Sequence, residues 1–448
     1  MKTAIKTLLI YLLGSYTLTF GQQTWTLDQC IDYALANNLT VQDLNLRANA
    51  RKESYSQSYR EFLPSLRGQS NYNIQYGRSV DPNTNAIIGT NFFSNNYSIN
   101  ASADIFRGFQ RSNNIKATKF LLEAAKEDII QEEYFLAFRV MTAFYDVLFF
   151  EEQLKISTEQ VDISRNQYKF IQRQIELGLK AGTDLYEAKA VLIADQLVLT
   201  QNENNLQAAE LALIQEMNLQ NATEIEIRNI SSEPLQIRKE QEIHPDSIYR
   251  TALSFMPGIE AQRLRIRAEE KYLEITKGRL YPSISLSAGY GTGFYETRLN
   301  ASGEIIPFGN QIRDNANLFV GLSLGIAIID RWRIRSDINQ QKILISQSVN
   351  ENKIRKLELQ KTINQLIQDY EASQSEYTQT NQSETARKLA FEVAQKKYEK
   401  GLISIIELNR AKNQYAMSQN ENLQIKLRLK VQKKTLDFYR GKPTFNIQ

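Results

Sequence analysis

Few side chains here are of the types that make and break bonds at neutral pH. His244 is the only histidine and Cys30 the only cysteine in 448 residues. An intrachain disulfide and a Cys/His metal site are therefore excluded, and a histidine-based triad has one possible base. His244 stands in the connector Glu242-Ile243-His244-Pro245-Asp246, where a solvated surface histidine is expected. Cys30 falls in an amphipathic helical pattern, Leu27 to Leu35, where a small buried thiol is expected. Gly289-x-Gly291-x-Gly293 would suit a loop that cradles phosphate. That chemistry needs a helix N-terminus directly after the glycines, and these lie within a strand pattern. Asn221-Ala222-Thr223 satisfies a glycan sequon, a match of only three residues. What remains is charge placed beside turns. Ser404-x-x-Glu407 and Asp184-x-x-Glu187 have capping-box spacing, and each follows a glycine, Gly401 or Gly178, suited to the left-handed position that ends a helix. No acid–base or nucleophile constellation, metal ligand set or cofactor motif stands out, so catalytic, cofactor and metal residues are read as none and an enzyme is the weakest reading.

The chain supplies the elements that position these residues twice. Glu176-Leu177-Gly178 through Ala188-Lys189 is matched by Glu399-Lys400-Gly401 through Ala411-Lys412, 223 residues later. Leu63-Pro64-Ser65-Leu66 is matched by Tyr281-Pro282-Ser283-Ile284, 218 residues later. Such self-similarity sets the architecture before any local pattern does. Apolar residues step by seven through Val140, Val147, Leu154, Val161, Tyr168 and Ile175, and the matching row of the second half is Ile363, Tyr370, Tyr377, Glu384, Phe391 and Tyr398, with Glu384 its one charged member. A sustained step of seven marks helices that coil on one another. The helix after Gly178 continues it with Leu185, Leu192, Leu199, Leu206 and Leu213; on its companion row Asp195 and Asn202 are polar departures. Each long helix covers about 68 residues, roughly 100 Å.

Residues 1–21 read as a secretory signal peptide, residues 22–220 as a first repeat and 221–245 as a connector. Residues 246–440 are the second repeat and 441–448 a short tail. Within the repeats, strands are expected at 65–77, 95–106, 283–295 and 316–329. Long helices are expected at 108–176 and 332–399, and shorter ones at 184–220 and 404–440. Polar loops fill 78–94 and 297–315. Only 8 prolines and 19 glycines punctuate the chain, which suits long helices. The net charge of +4, without a clustered basic face, gives no footprint for nucleic acid. Past the signal, no apolar run reaches the roughly 18 residues of a membrane helix.

The strands alternate strictly. Leu66, Tyr72, Ile74 and Tyr76 oppose Arg67, Gln69, Asn71, Asn73 and Gln75; Tyr97, Ile99, Ala101 and Ala103 oppose Asn96, Ser98, Asn100 and Ser102. A soluble sheet with one face on a core is the commoner source of this pattern. The scarcity of charge on the polar face, the signal peptide and the long helices favour strands with lipid on one side and water on the other. Four strands cannot close around water, and lipid does not tolerate open sheet edges, so several copies must share one barrel.

These residues resemble the TolC family of bacterial outer-membrane efflux channels. The resemblance rests on the tandem helix–strand–strand–helix–helix order, the junctions at Pro64 and Pro282, and the turns Gly178–Ala188 and Gly401–Ala411. It spans essentially the whole mature chain. It implies a membrane α+β fold: a homotrimer with a 12-stranded β-barrel, four strands per chain, continuing into a periplasmic α-helical coiled-coil tunnel. It further implies an outer-membrane location and contact with outer-membrane lipid. The implied partners are a periplasmic adaptor (membrane fusion) protein and an inner-membrane transporter of the RND or ABC type. The function implied is the exit duct of a multidrug efflux or type I secretion system. The alternative is a non-conducting structural or adhesive coiled-coil protein of the same membrane. By position, the resemblance places Glu407 at the narrowest ring of the closed periplasmic end, with Arg410 where some members carry a second acid. Asp184 takes the place of an acid that contacts neighbouring helix pairs, with Glu187 beside it. Capping is the more ordinary role for Glu407, and the two roles are compatible.

Overall fold

The computed structural model describes residues 24–81, 85–89, 91–179, 182–228 and 244–445. The segment read as a signal peptide, most of the expected connector (229–243) and residues 446–448 lie outside the described residues. Helices α1 (Leu27–Asn37) and α2 (Leu39–Arg60) lead into strand β1 (Ser65–Gln75). A two-residue hairpin follows, β2 (Ser79–Val80) and β3 (Ile87–Ile88), then β4 (Phe92–Arg107), α3 (Gln110–Glu176) and α4 (Gly182–Met217). The second half runs α5 (Pro245–Phe255), α6 (Pro257–Gly278), β5 (Ser283–Tyr295), α7 (Phe308–Asp314), β6 (Asn317–Gly325), α8 (Arg333–Glu399) and α9 (Ile405–Tyr439).

The duplication is kept to the residue. The bounds of α1 and α2 reappear in α5 and α6, 218 positions on, and those of α3 reappear in α8, 223 positions on. Local chemistry is duplicated with them. Gly178 and Gly401 have φ of +72° and +73°. Both strand-to-helix turns carry two consecutive left-handed residues, Gly108-Phe109 and Arg331-Trp332. Where the second turn uses Arg, the first must use Gly: a Cβ on Gly108 would sit 2.0 Å from the Gly278 carbonyl oxygen.

The chain forms two compact units, each drawn from both repeats. The first contains residues up to Asp43, Ile129–Met256 and Lys356 onward. Its main core joins Cys30, Ile31 and Ala34 of α1 with Leu136, Val140 and Val147 of α3, Leu213 and Met217 of α4, and Leu427 of α9. Each fully buried Leu, Ile or Met there contributes about 1.5–3 kcal/mol. Trp25 bridges Ile227 in parallel fashion, its N–H donating to the Glu226 carbonyl at 2.8 Å. Thr26 and Gln29 form a capping box at the start of α1.

The second unit, Leu44–Asp128 with Pro257–Arg355, holds a four-stranded antiparallel sheet in the order β1-β4-β5-β6. The register keeps like with like across the strands. Leu66, Ala101, Ala288 and Val320 form one transverse row; Ser65, Ser102, Ser287 and Gly321 form the next. The large apolar residues on their face are solvent-accessible in the single chain, among them Leu66, Tyr72, Ile99, Tyr290, Leu318, Val320 and Leu322. Among the described residues, no helix is long and apolar enough to cross a membrane.

Several expected bounds shift for identifiable reasons. β1 ends at Gln75, whose partner is Phe92, so β4 begins at Phe92 rather than 95. β6 stops at Gly325 instead of 329. Gly325 pairs with Ser283, the first residue of β5, and the alternation beyond it finds no ladder partner among the described residues. The loops are not wholly irregular. The first contains the β2–β3 hairpin, and the second contains α7, which is tied down by Gln311. That amide donates to the Tyr295 and Ile306 carbonyls at 3.0 and 2.8 Å and accepts from the Tyr295 N–H at 3.0 Å.

Candidate functional site

Two turns of the first unit end the long helices in the same way. The Gly178 N–H donates to the Ile175 carbonyl (2.8 Å) and the Leu179 N–H to that of Gln174 (2.9 Å). Gly401 N–H donates to Tyr398 (2.9 Å) and Leu402 N–H to Lys397 (2.9 Å). This is the paired six-to-one and five-to-two closure of a helix end, and it needs the left-handed residue that glycine supplies. After the second turn, Ser404 caps α9. The Glu407 N–H donates to Ser404 Oγ and the Ser404 N–H to Glu407 Oε2, both at 3.2 Å. The capping role of Glu407 is thus realised, while its side chain stays at an exposed position. After the first turn α4 begins at Gly182, so Asp184 lies inside the first helical turn, where its charge favours the helix N-terminus.

Leu185 and Ala188 of α4 and Ile405, Leu408 and Ala411 of α9 share one apolar cluster with Ile171 of α3 and Phe391 and Tyr398 of α8. Phe391 stacks on Tyr415 at 6.0 Å between centroids. The cluster fixes both helix starts, and the charged residues ride on its outside. Glu187, Glu407 and Arg410 are exposed and Asp184 half-buried. Beside it, a cavity of about 320 Å³ is lined by Ile163, Gln167, Phe170, Phe391, Tyr398 and Leu408 among others. Gln167 bridges toward α9 by donating to Asn409 Oδ1 at 3.3 Å.

Above the cluster lies a residue that pattern reading missed. Lys412 of α9 is 1% exposed, and its Nζ donates to Asp195 of α4 and Ser164 of α3. Ser164 Oγ also donates to Asp195. Burial pulls the Lys412 ammonium below its ordinary pKa, and the Asp195 carboxylate opposes that pull. The signal was present as Asp195 on an otherwise apolar row: a carboxylate at a seam position demands a buried cation. At a second polar position, Asn422 of α9 donates its neutral amide to Glu384 of α8, with Thr380 donating to Asn422 Oδ1 at 3.2 Å.

In the sheet, the face opposite the apolar rows carries Asn71, Asn96, Ser98, Asn100, Ser285 and Ser323. The glycines of the Gly289–Gly293 run lie inside β5 and make room there. A Cβ on Gly289 would meet the Phe319 ring at 2.3 Å, and one on Gly293 would meet Asn96 Oδ1 at 2.5 Å. Pro64 and Pro282 immediately precede β1 and β5, each after a turn in which the residue just before the proline donates back three positions (2.9 and 3.2 Å). His244 is the exposed N-cap of α5, and Cys30 is fully buried, its thiol pushed up to about 12 by desolvation. Among the described residues, no group of three His, Cys, Asp or Glu is placed to hold a metal ion.

Comparison with known proteins converges on one family. The model described as "Outer membrane efflux protein" matches residues 30–219 and, again, 248–442. The outer membrane efflux protein BepC of Brucella suis is 20% identical over 371 residues, covering 82% of this chain and 74% of BepC. Among solved structures, CusC superposes with a TM-score of 0.75 at 16% identity, covering 96% of both chains. The Neisseria gonorrhoeae outer membrane channel MtrE, described in an open state, gives 0.68 at 15% identity, covering 94% of this chain and 89% of MtrE.

Proposed function

This chain belongs to the outer membrane efflux protein family, and we propose that three copies of it share one 12-stranded barrel and one helical tunnel, forming a passive exit duct. The sheet carries this reading. Within one chain β1 and β6 each have a free edge. Hydrocarbon offers no partner for those backbone groups, so the edges must close on further copies. The accessible apolar rows then face lipid and the Asn, Ser and Gly rows face water. In this reading a periplasmic adaptor protein and an inner-membrane transporter deliver the substrate, and the duct takes its selectivity from them.

The turns at Gly178 and Gly401 form the inner mouth in this reading, with Glu407, Arg410, Asp184 and Glu187 around it. The open state described for MtrE supports a mouth that changes state. Reconstitution in planar bilayers tests the proposal. The purified protein is expected to conduct, and Glu407→Ala or Arg410→Ala to change conductance or ion selectivity. A protein that inserts without conducting would favour the structural, adhesive reading. Unchanged conductance and selectivity in both variants would remove those residues from the mouth.

A further inference from the structure

We propose, resting on the trimeric reading above, that the helical tunnel has two chemically different kinds of seam and parts at those between copies, where Lys189 of one copy faces Arg387 of its neighbour. The pair α3–α4 and the pair α8–α9 correspond position by position, 223 residues apart. A closed ring of three duplicated chains alternates these pairs six times. Each α3–α4 pair therefore meets an α8–α9 pair on both sides, one from its own copy and one from the next. The seam between copies is the repeat-swapped image of the seam within a copy.

The seam within a copy is seen directly. Lys412 of α9 is buried against Ser164 of α3 and Asp195 of α4, so cation, carboxylate and hydroxyl satisfy one another. Swapping the repeats replaces Lys412 by Lys189, Ser164 by Arg387 and Asp195 by Ser418. The carboxylate is lost and a second cation gained. Lys189 is exposed and has no ion-pair partner among the described residues. Arg387 is exposed and donates to a neutral acceptor, Gln414 Oε1, at 2.6 Å. Ser418 Oγ donates to the Tyr415 carbonyl at 2.8 Å. Glu384, one turn before Arg387, is turned toward α9 of its own helix pair, where it accepts from the Asn422 amide. Two cations therefore meet where the within-copy seam has an ion pair, and like charges across an interface disfavour the joined state. Water entering the parted seam solvates both, so the between-copy seam yields first.

The test supplies the missing carboxylate. Lys189→Glu is expected to pair with Arg387 of the neighbouring copy and hold the closed state. An exposed ion pair is worth roughly 1.4- to 5-fold in an equilibrium, and three seams multiply it, so channel opening in planar bilayers should fall by about threefold to a hundredfold. Adding Arg387→Glu restores like charges and should restore opening. In a Cys30→Ala background, Lys189→Cys with Arg387→Cys should give disulfide-linked copies, which reads the geometry independently of conductance. Opening unchanged by Lys189→Glu, no recovery in the double variant, or the absence of linked copies would overturn the proposal. If the unsubstituted protein conducts and assembles as three copies in those same experiments, only the seam assignment falls. If it does neither, the duct reading falls with it.

Discussion

Replacing Lys412 and Asp195 singly and together tests how the buried charges hold the first unit. Lys412→Met keeps the volume of the side chain but leaves the Asp195 carboxylate with only the Ser164 hydroxyl as donor. Removing one partner of a buried pair costs about 3–5 kcal/mol, and the lower end applies because the Asp195 side chain is 18% exposed. Asp195→Val strands an ammonium that is 1% exposed, so it should cost at least as much. The double variant removes both charges. Replacing a buried pair by apolar residues is often neutral or stabilising, so it should lie within about 1 kcal/mol of the parent. With single costs of about 3 kcal/mol each and a double variant near the parent, the cycle should therefore show a coupling of about 5 kcal/mol. The chain has two tryptophans, Trp25 in the first unit and Trp332 in the second. In a Trp332→Phe background, Trp25, packed edge-on against Tyr33 at 5.4 Å, reports unfolding of the first unit alone in a guanidinium titration. Additive single costs, with the double variant as unstable as their sum, would refute the reasoning.

Further outcomes follow from the same geometry. Gly401→Ala forces a Cβ into φ +73°, which costs about 1–2 kcal/mol, and should accelerate amide exchange around the turn while leaving the sheet unchanged. Gly289→Val should lower the yield of assembled protein because Phe319 occupies the space, and Phe319→Ala added to it should recover that yield. Cys30 should resist a maleimide at pH 8 in the folded protein and react on denaturation. Its pKa near 12 leaves almost no thiolate below that pH, whereas the unfolded thiol titrates near 9.0.

Much of this architecture is legible in the chain because its physics is repetitive. Steps of seven and of two, broken by Gly178, Gly401, Pro64 and Pro282, place the long helices and the strands. The misses share a cause, which is that the deciding partner lies far off in sequence. β6 ends where β5 has no residue left to pair, which alternation in 316–329 does not reveal. α7 depends on Gln311 reaching Tyr295. Ser404-x-x-Glu407 and Asp184-x-x-Glu187 look alike as spacings, yet Ser404 stands before α9 as its cap while Asp184 lies inside α4, which starts at Gly182. Lys412 is invisible as one more lysine in a helix, and Asp195 marked its place.

The central claim is that the sheet separates water from lipid, and labelling along β4 tests it most directly. In a Cys30→Ala background, single cysteines at Tyr97, Ser98, Ile99, Asn100, Ala101 and Ser102 are exposed to a membrane-impermeant maleimide in native outer membranes. Labelling is predicted at Ser98, Asn100 and Ser102, with Tyr97, Ile99 and Ala101 protected by lipid. Equal labelling of both sets, or protection of both, would contradict the account.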